Sequence, residues 1–170
     1  DVVVIDGVRA GDMAGFAVGS VADLNGDGLA EILVGAPGMA VGVAADAGAG
    51  FVLWGQAVGA GNGIDLADPF SGGGKGYAIK GQAAGDMAGY AMVSAGDMNG
   101  DGRAEVIIGA PGQDAGGADA GAVYVTWGRT VETPLLLNSV AAGVGGFRIL
   151  GAAAGDAIGR VIGTLSDQGG

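Results

Sequence analysis

An all-β fold of β-propeller blades, each made of four antiparallel strands, is what this sequence predicts, with about two complete blades plus flanking strands. Three observations lead there. The chain repeats itself over a long period, each repeat carries four strand-like segments, and no segment carries a convincing helical pattern.

The repetition comes first because it sets the plan. Residues 11–38 read GDMAGFAVGSVADLNGDGLAEILVGAPG and residues 85–112 read GDMAGYAMVSAGDMNGDGRAEVIIGAPG, identical at 18 of 28 positions. Most of the remaining positions exchange one apolar residue for another. The offset is 74 residues, and a third copy starts 70 residues later, at Gly155, as GDAIGRVIGTLSDQGG. Four short strands at such a period suit propeller blades; solenoid repeats are usually shorter, and a sandwich has no need of so close a duplication. The expected organisation is an outer strand of a preceding blade in 1–10, one blade unit in 11–84, a second in 85–154, and the first strand of a third in 155–170.

Within each unit the strands follow in order. The first covers Gly15 to Ala22 and Gly89 to Gly96. The second, Glu31 to Ala36 and Glu105 to Ala110, reads EILVGA and EVIIGA, near-continuous apolar runs of the kind covered on both faces. Pro37 and Pro111 end these runs. The third, Phe51 to Trp54 and Ala122 to Trp127, draws its β-propensity from Val, Tyr and Trp. The fourth, Tyr77 to Lys80 and Phe147 to Leu150, carries Lys80 and Arg148, charges that suit an exposed sheet edge. Val2 to Gly7 aligns with Tyr77 to Gly81 as the fourth strand of an earlier unit, and Ile158 to Leu165 as the first strand of a later one. That makes about ten strands. Gly63 to Phe70 is the one stretch with room for a helical turn. The glycine-rich stretches 38–50, 55–63, 71–76 and 112–121 read as loops.

Composition narrows the function. The chain has 170 residues, 40 of them glycine, yet 49% are apolar and mean hydropathy is +0.47, which argues against disorder. Its net charge of −11, from 18 acidic and 7 basic residues, disfavours nucleic-acid binding, which needs clustered Lys and Arg. With no Cys and no His there is no disulfide, no Cys/His zinc site and no Ser-His-Asp triad. No apolar run approaches the ~18 residues that span a membrane as a helix. The chain opens on Asp1 rather than Met, as a processed protein or a piece of a longer one would.

The acids are not scattered. Asp23 to Glu31 reads DLNGDGLAE and Asp97 to Glu105 reads DMNGDGRAE, each between the first and second strands. Side-chain oxygens fall at loop positions 1, 3, 5 and 9: Asp23, Asn25, Asp27 and Glu31, then Asp97, Asn99, Asp101 and Glu105. Position 6 is Gly28 or Gly102, where the chain must turn sharply with positive φ. Position 7, Leu29 or Arg103, offers a backbone carbonyl. An all-oxygen set of this kind selects a hard cation, and its flexibility suits Ca²⁺ over Mg²⁺. Three carboxylates so close together repel one another, so the loops are expected to be weakly folded without metal. The loop is not an EF-hand, whose last acid stands at position 12 between helices. The plainer reading is an Asx-rich turn with no metal; against it, two of the chain's three glutamates stand at position 9.

These residues resemble FG-GAP repeats, known from the integrin α-subunit propeller and from bacterial surface and secreted proteins. The likeness rests on Gly15-Phe16, Asp23 to Glu31 and Gly35-Ala36-Pro37, with the second copy at Tyr90, Asp97 to Glu105 and Gly109-Ala110-Pro111. It implies four-stranded blades, usually seven to a ring, with Ca²⁺ in hairpin loops on one face. This chain departs in having Glu at position 9 where the family favours Asp, in its Gly-Phe order, and in a third loop, Asp167-Gln168-Gly169-Gly170, which lacks the ligand pattern.

Other chemistry finds less support. Lys75 and Lys80 have only Ser71 near in sequence, and the acids free to act as a pair are few once the two loops are set aside. Asp12, Asp86 and Asp156 recur in GDxxG, which suggests a turn. Trp54 and Trp127 end equivalent strands and suit packing between blades. No glycine string follows a strand and opens a helix, so no phosphate site is supported. The function expected is a calcium-binding, non-catalytic propeller module for extracellular adhesion or ligand binding, its partner a protein or a glycan. Alternatives are an accessory propeller of a secreted hydrolase or phospholipase whose catalytic residues lie elsewhere, and a structural spacer. Two blades leave bare faces, so self-association or a longer chain that closes the ring is also expected.

Overall fold

Each long apolar run of the sequence becomes the middle of a sheet. The computed structural model describes residues 4–55, 63–67 and 76–163. In the first unit β2 (Ala17–Val21), β3 (Glu31–Ala36), β4 (Ala49–Leu53) and β6 (Gly76–Lys80) form an antiparallel meander, with β5 (Ile64–Asp65) ahead of the fourth strand. In the second, β7 (Met92–Gly96), β8 (Glu105–Ala110), β9 (Ala122–Thr126) and β11 (Gly146–Leu150) repeat the pattern. These are four-stranded antiparallel blades, as the strand pattern predicts. β3 is buried on both faces, by Leu33 on one and Val34 and Ala36 on the other; in β8 Val106, Ile108 and Ala110 are buried on the face toward the first blade, while Ile107 on the other face is half-buried.

Three expectations are corrected. Gly63 to Phe70 holds the strand β5 and a turn at Leu66 and Ala67, with 68–70 outside the described residues. The short helix α1 (Leu137–Ala141) lies instead just after β10 (Leu135–Leu136), where Leu137 and Val140 seat it on the core. Five residues are too few to show a helical period in sequence. Lys80 does not sit on an open edge either, because β10 of the second blade pairs in parallel with β6, Ile79 to Leu135 and Lys80 to Leu136. Arg148 does lie on an edge strand, β11. Ser71 and Lys75 lie outside the described residues, as does the whole of the third loop, Asp167 to Gly170.

The same parallel step occurs one blade earlier. β1 (Ile5–Asp6) pairs with β5, Ile5 to Ile64 and Asp6 to Asp65. Thus β1 stands to the first blade as β6 stands to the second, in the place of an outer strand.

Blades are joined by a second contact that the sequence reading missed. Gly85, Met87 and Ala88 donate their backbone N–H groups to the carbonyls of Ala45, Asp46 and Ala47, at 2.9, 3.0 and 3.0 Å. Gly155, Ala157 and Ile158 do the same to Ala118, Asp119 and Ala120, at 2.9, 3.0 and 3.1 Å. Both sides of this latch hold non-glycine residues at positive φ: Asp46 and Met87 (51° and 55°), Asp119 and Ala157 (52° and 48°). Such backbone costs free energy unless its surroundings hold it, and here the strain recurs at equivalent places. The signal was the pentapeptide ADAGA, present at 45–49 and again at 118–122. Ile158 thus joins the second blade by a bridge to Gly121, rather than as part of a strand within the described residues.

The main core lies between the blades. Leu33, Val52 and Tyr77 of the first meet Met92, Val106 and Ile108 of the second. Trp54 joins this core and packs on Tyr77, with ring centroids 5.8 Å apart, while Trp127 packs on Phe147 within its own blade at 5.7 Å. A second cluster, including Val34, Phe51 and Ile64, lies on the other face of the first blade.

Candidate metal centre

The loop between β2 and β3 begins one residue after Val21 and closes on Glu31, which pairs directly with Val21. A hairpin closed there must fold 22–30 back over the strand ends. Asp23 directs this by accepting the N–H groups of Gly26 (2.7 Å) and Asp27 (3.2 Å) on Oδ1 and of Gly28 (2.8 Å) on Oδ2. Asn25 Oδ1 accepts from Asp27 N (2.9 Å), and Asp27 Oδ1 from Leu29 N (2.8 Å). These are Asx turns, each side chain capping the backbone a few residues on. Gly26 and Gly28 take φ of 83° and 85°, and Gly100 and Gly102 take 78° and 85°. The position-6 glycines therefore do turn the chain with positive φ.

The second loop repeats this geometry. Asp97 accepts from Gly100, Asp101 and Gly102, Asn99 from Asp101, and Asp101 from Arg103. Backbone amides thus answer part of the repulsion expected to loosen the loops. The hydrogen bond from Gly28, above all, holds the Asp23 carboxyl below its ordinary range, so its charge is favoured.

Asp23, Asp27 and Glu31 are drawn together, each offering a carboxylate oxygen within 4.8 Å of the others. Asp27 is exposed, whereas Glu31 is fully buried at the foot of the loop. Its Oε2 accepts from Leu24 N at 2.8 Å, and its Oε1 is buried with no hydrogen-bond partner among the described residues. Burial raises the Glu31 carboxyl, and the charges of Asp23 and Asp27 raise it further. A buried carboxylate oxygen without a partner is costly, and a cation on the loop side would relieve it. The residues present therefore fit a hard cation: three carboxylates, the Asn25 amide, and Leu29 at the carbonyl position. Asp97, Asn99, Asp101, Arg103 and Glu105 occupy the matching places, but no second group of three acids converges as closely among the described residues. Both loops lie at one end of the blades, where Asp23 and Asn25 face Asp101 and Arg103 across a cleft of ≈230 Å³ also lined by Thr130.

Two of the recurrent aspartates of GDxxG hold turns, whereas the third, Asp12, keeps a buried Oδ2 with no hydrogen-bond partner among the described residues. Asp86 Oδ2 accepts from Ala83 N (2.9 Å), and Asp156 Oδ2 from Ala152 N (3.0 Å) and Ala153 N (2.9 Å). Asp86 is only 3% exposed, and burial, reinforced by Asp114, pushes its carboxyl up. A group raised in the folded state adds stability that is full below its unfolded value and is lost as pH rises through the folded one. Asp86→Asn is therefore expected to raise the melting temperature at pH 7, with its advantage over the wild type shrinking as pH falls toward 4. Melting curves of both proteins across that range check this; an advantage independent of pH would assign the effect to something other than the buried charge.

Residues 14–53 and 88–126 each match the family model of the FG-GAP repeat. No curated protein matches the chain. Among the described residues no helix is long and apolar enough to cross a membrane.

Proposed function

We propose, from the premise that this is an FG-GAP repeat protein, that it is a calcium-braced, non-catalytic binding module working at the cell surface or outside the cell. One observation carries the metal reading: Glu31 is buried with one unpartnered oxygen, and its carboxylate converges with those of Asp23 and Asp27. Calcium suits the set because the donors are hard oxygens on a flexible loop. Asp23, Asn25, Asp27, Glu31 and the Leu29 carbonyl would hold one ion, and Asp97, Asn99, Asp101, Glu105 and the Arg103 carbonyl a second. The ion would tie the first two strands of a blade together at their loop. Loops of this kind in extracellular modules bind at about 10⁻⁴–10⁻³ M, a range that matches calcium outside cells and not in the cytosol. With no histidine and no cysteine the chain has no His-based acid–base pair and no thiol nucleophile, in keeping with a module that binds a protein or glycan rather than transforming it.

The partner that closes the blades is a further unit of the same repeat. At the junction between blades Met92 is 4% exposed, while its counterpart Val18 on the far face of the first blade is 69% exposed. That face, with Ile5, Ile32 and Val34, lines an apolar cleft of ≈120 Å³. It already carries β1 in the place of an outer strand. Among the described residues, Met13 and Ala14, the counterparts of Met87 and Ala88, have no latch carbonyls to meet. The occupant that fits is a blade presenting an ADAG turn, as at the junction seen here.

Native mass spectrometry and calorimetry test the metal. Uptake of two calcium ions per chain at millimolar concentration is expected, and none in the double variant Asp23→Ala/Asp97→Ala. No heat and no mass shift in the wild type would rule the metal reading out.

A further inference from the structure

We propose that the two acidic loops are sites of covalent modification: Asn25 and Asn99 deamidate through a succinimide when their loop opens, and Asp23 and Asp97 hold the reaction back while it is closed. The proposal concerns the bare chain and stands whether or not the loops hold calcium.

The reactive pair occurs in both loops, as Asn25-Gly26 and Asn99-Gly100. In this reaction the glycine nitrogen gives up its proton to solvent base and bonds to the asparagine Cγ, while the Cγ–Nδ2 bond breaks and ammonia leaves. Water then opens the imide ring at either carbonyl. The product is aspartate or isoaspartate, with one more negative charge. Glycine after asparagine favours the step, because no side chain shields its nitrogen and its backbone turns freely. Gly26 and Gly100 are exposed, so water and base reach both.

The closed loop withholds both reactants. Gly26 N donates to Asp23 Oδ1 at 2.7 Å, and Gly100 N to Asp97 Oδ1 at 2.7 Å. A proton held by a carboxylate in so short a bond is not readily given up. The amides are tied as well. Asn25 Oδ1 accepts from Asp27 N at 2.9 Å, and its Nδ2 donates to Asp27 Oδ2 at 2.9 Å. Asn99 makes the same two bonds with Asp101, at 2.8 and 3.2 Å. Each amide is thus engaged with the residue after the glycine and is not free to swing its Cγ onto the glycine nitrogen.

The same aspartates guard a second pair. Asp27-Gly28 and Asp101-Gly102 can form the succinimide by loss of water, but Gly28 N donates to Asp23 Oδ2 at 2.8 Å and Gly102 N to Asp97 Oδ2 at 2.9 Å. One carboxylate per loop therefore holds both glycine nitrogens. Exposed loops open locally at little cost in free energy, without unfolding of the strands they join. Conversion of Asn25 or Asn99 would add a carboxylate to the oxygen set of its loop, or, as isoaspartate, lengthen the loop backbone by a methylene group.

Peptide mapping by mass spectrometry tests this, after incubation of the whole chain in warm, mildly alkaline buffer containing chelator, with the urea-unfolded chain as reference. In the folded wild type, deamidation at Asn25 and Asn99 is expected to be at least several-fold slower than in urea. Asp23→Ala should bring Asn25 close to the unfolded rate and leave Asn99 slow, and Asp97→Ala should do the reverse, so each variant carries its own control. Equal rates in the folded and unfolded wild type would overturn the guard, whatever the variants do. An unchanged Asn25 rate in Asp23→Ala would overturn the role given to Asp23, and a rise at both asparagines in one variant would overturn the opening of one loop at a time. No deamidation at either asparagine even in urea would remove the sites themselves. Chelator is present throughout, so none of these outcomes depends on the calcium reading.

Discussion

Withdrawing calcium with a chelator is expected to lower the melting temperature by about 6–12 °C. The estimate follows from mass action. A ligand at ten times its dissociation constant stabilises the state that binds it by about 1.4 kcal/mol, so two sites contribute about 3 kcal/mol. For a chain of this size each kcal/mol moves the transition by about 2–4 °C. The structure shows where the effect would act. Glu31 is buried and raised by burial and by Asp23 and Asp27, so without a cation its charged form disfavours the fold. Differential scanning calorimetry in millimolar calcium and in excess chelator measures the shift. Magnesium should restore little of it, because Mg²⁺ demands near-octahedral geometry and gives up its water reluctantly. Identical curves with and without calcium would leave the loops as Asx turns and nothing more.

Gly35→Ala is expected to cost roughly 3 kcal/mol and to lower the melting temperature by about 6–12 °C, the upper end for overpacking in a core. The reason is steric. Gly35 does not need positive φ, but a Cβ placed there would fall 2.1 Å from the carbonyl oxygen of Gly89 in the next blade. The obstacle is backbone, which cannot rotate aside as a side chain can. The next junction repeats the contact, with a Cβ on Gly109 falling 2.0 Å from the Gly159 carbonyl oxygen, so Gly109→Ala should behave alike. Gly163→Ala, where a Cβ meets nothing within 4 Å among the described residues, is the control and should move the transition by no more than about 1–2 °C. Chemical denaturation of the three variants checks the order. A neutral Gly35→Ala would mean that the blades do not approach as closely as described.

These two outcomes bear on different kinds of information. The acidic loops were legible in the sequence because a set of oxygen-bearing side chains carried by one short turn is local: Asp23, Asn25, Asp27 and Glu31 stand within nine residues, and the glycine at position 6 marks the bend. The central strands β3 and β8 were legible with their bounds, since EILVGA and EVIIGA are apolar after their opening glutamate and end at proline. The first strands were drawn too long. Gly15 and Gly89 take φ of 88° and 86°, and glycine in a repeat-rich chain does not announce which of its uses applies. The helix at Leu137–Ala141 and the strand at Ile64–Asp65 were missed because five or two residues show no period.

Duplication, the apolar runs and the oxygen-bearing loops therefore determined the blade, its strand order and the carboxylates that converge, since each depends on neighbours in the chain. Tertiary structure alone decided which surfaces meet. It placed β10 along β6, so that Lys80 lies inside a sheet; it joined Ala45 to Ala47 with Gly85 to Ala88; and it buried Leu24 in the core between blades. The physical reason is that packing and desolvation depend on what lies across a junction, which the local pattern of a repeat does not record.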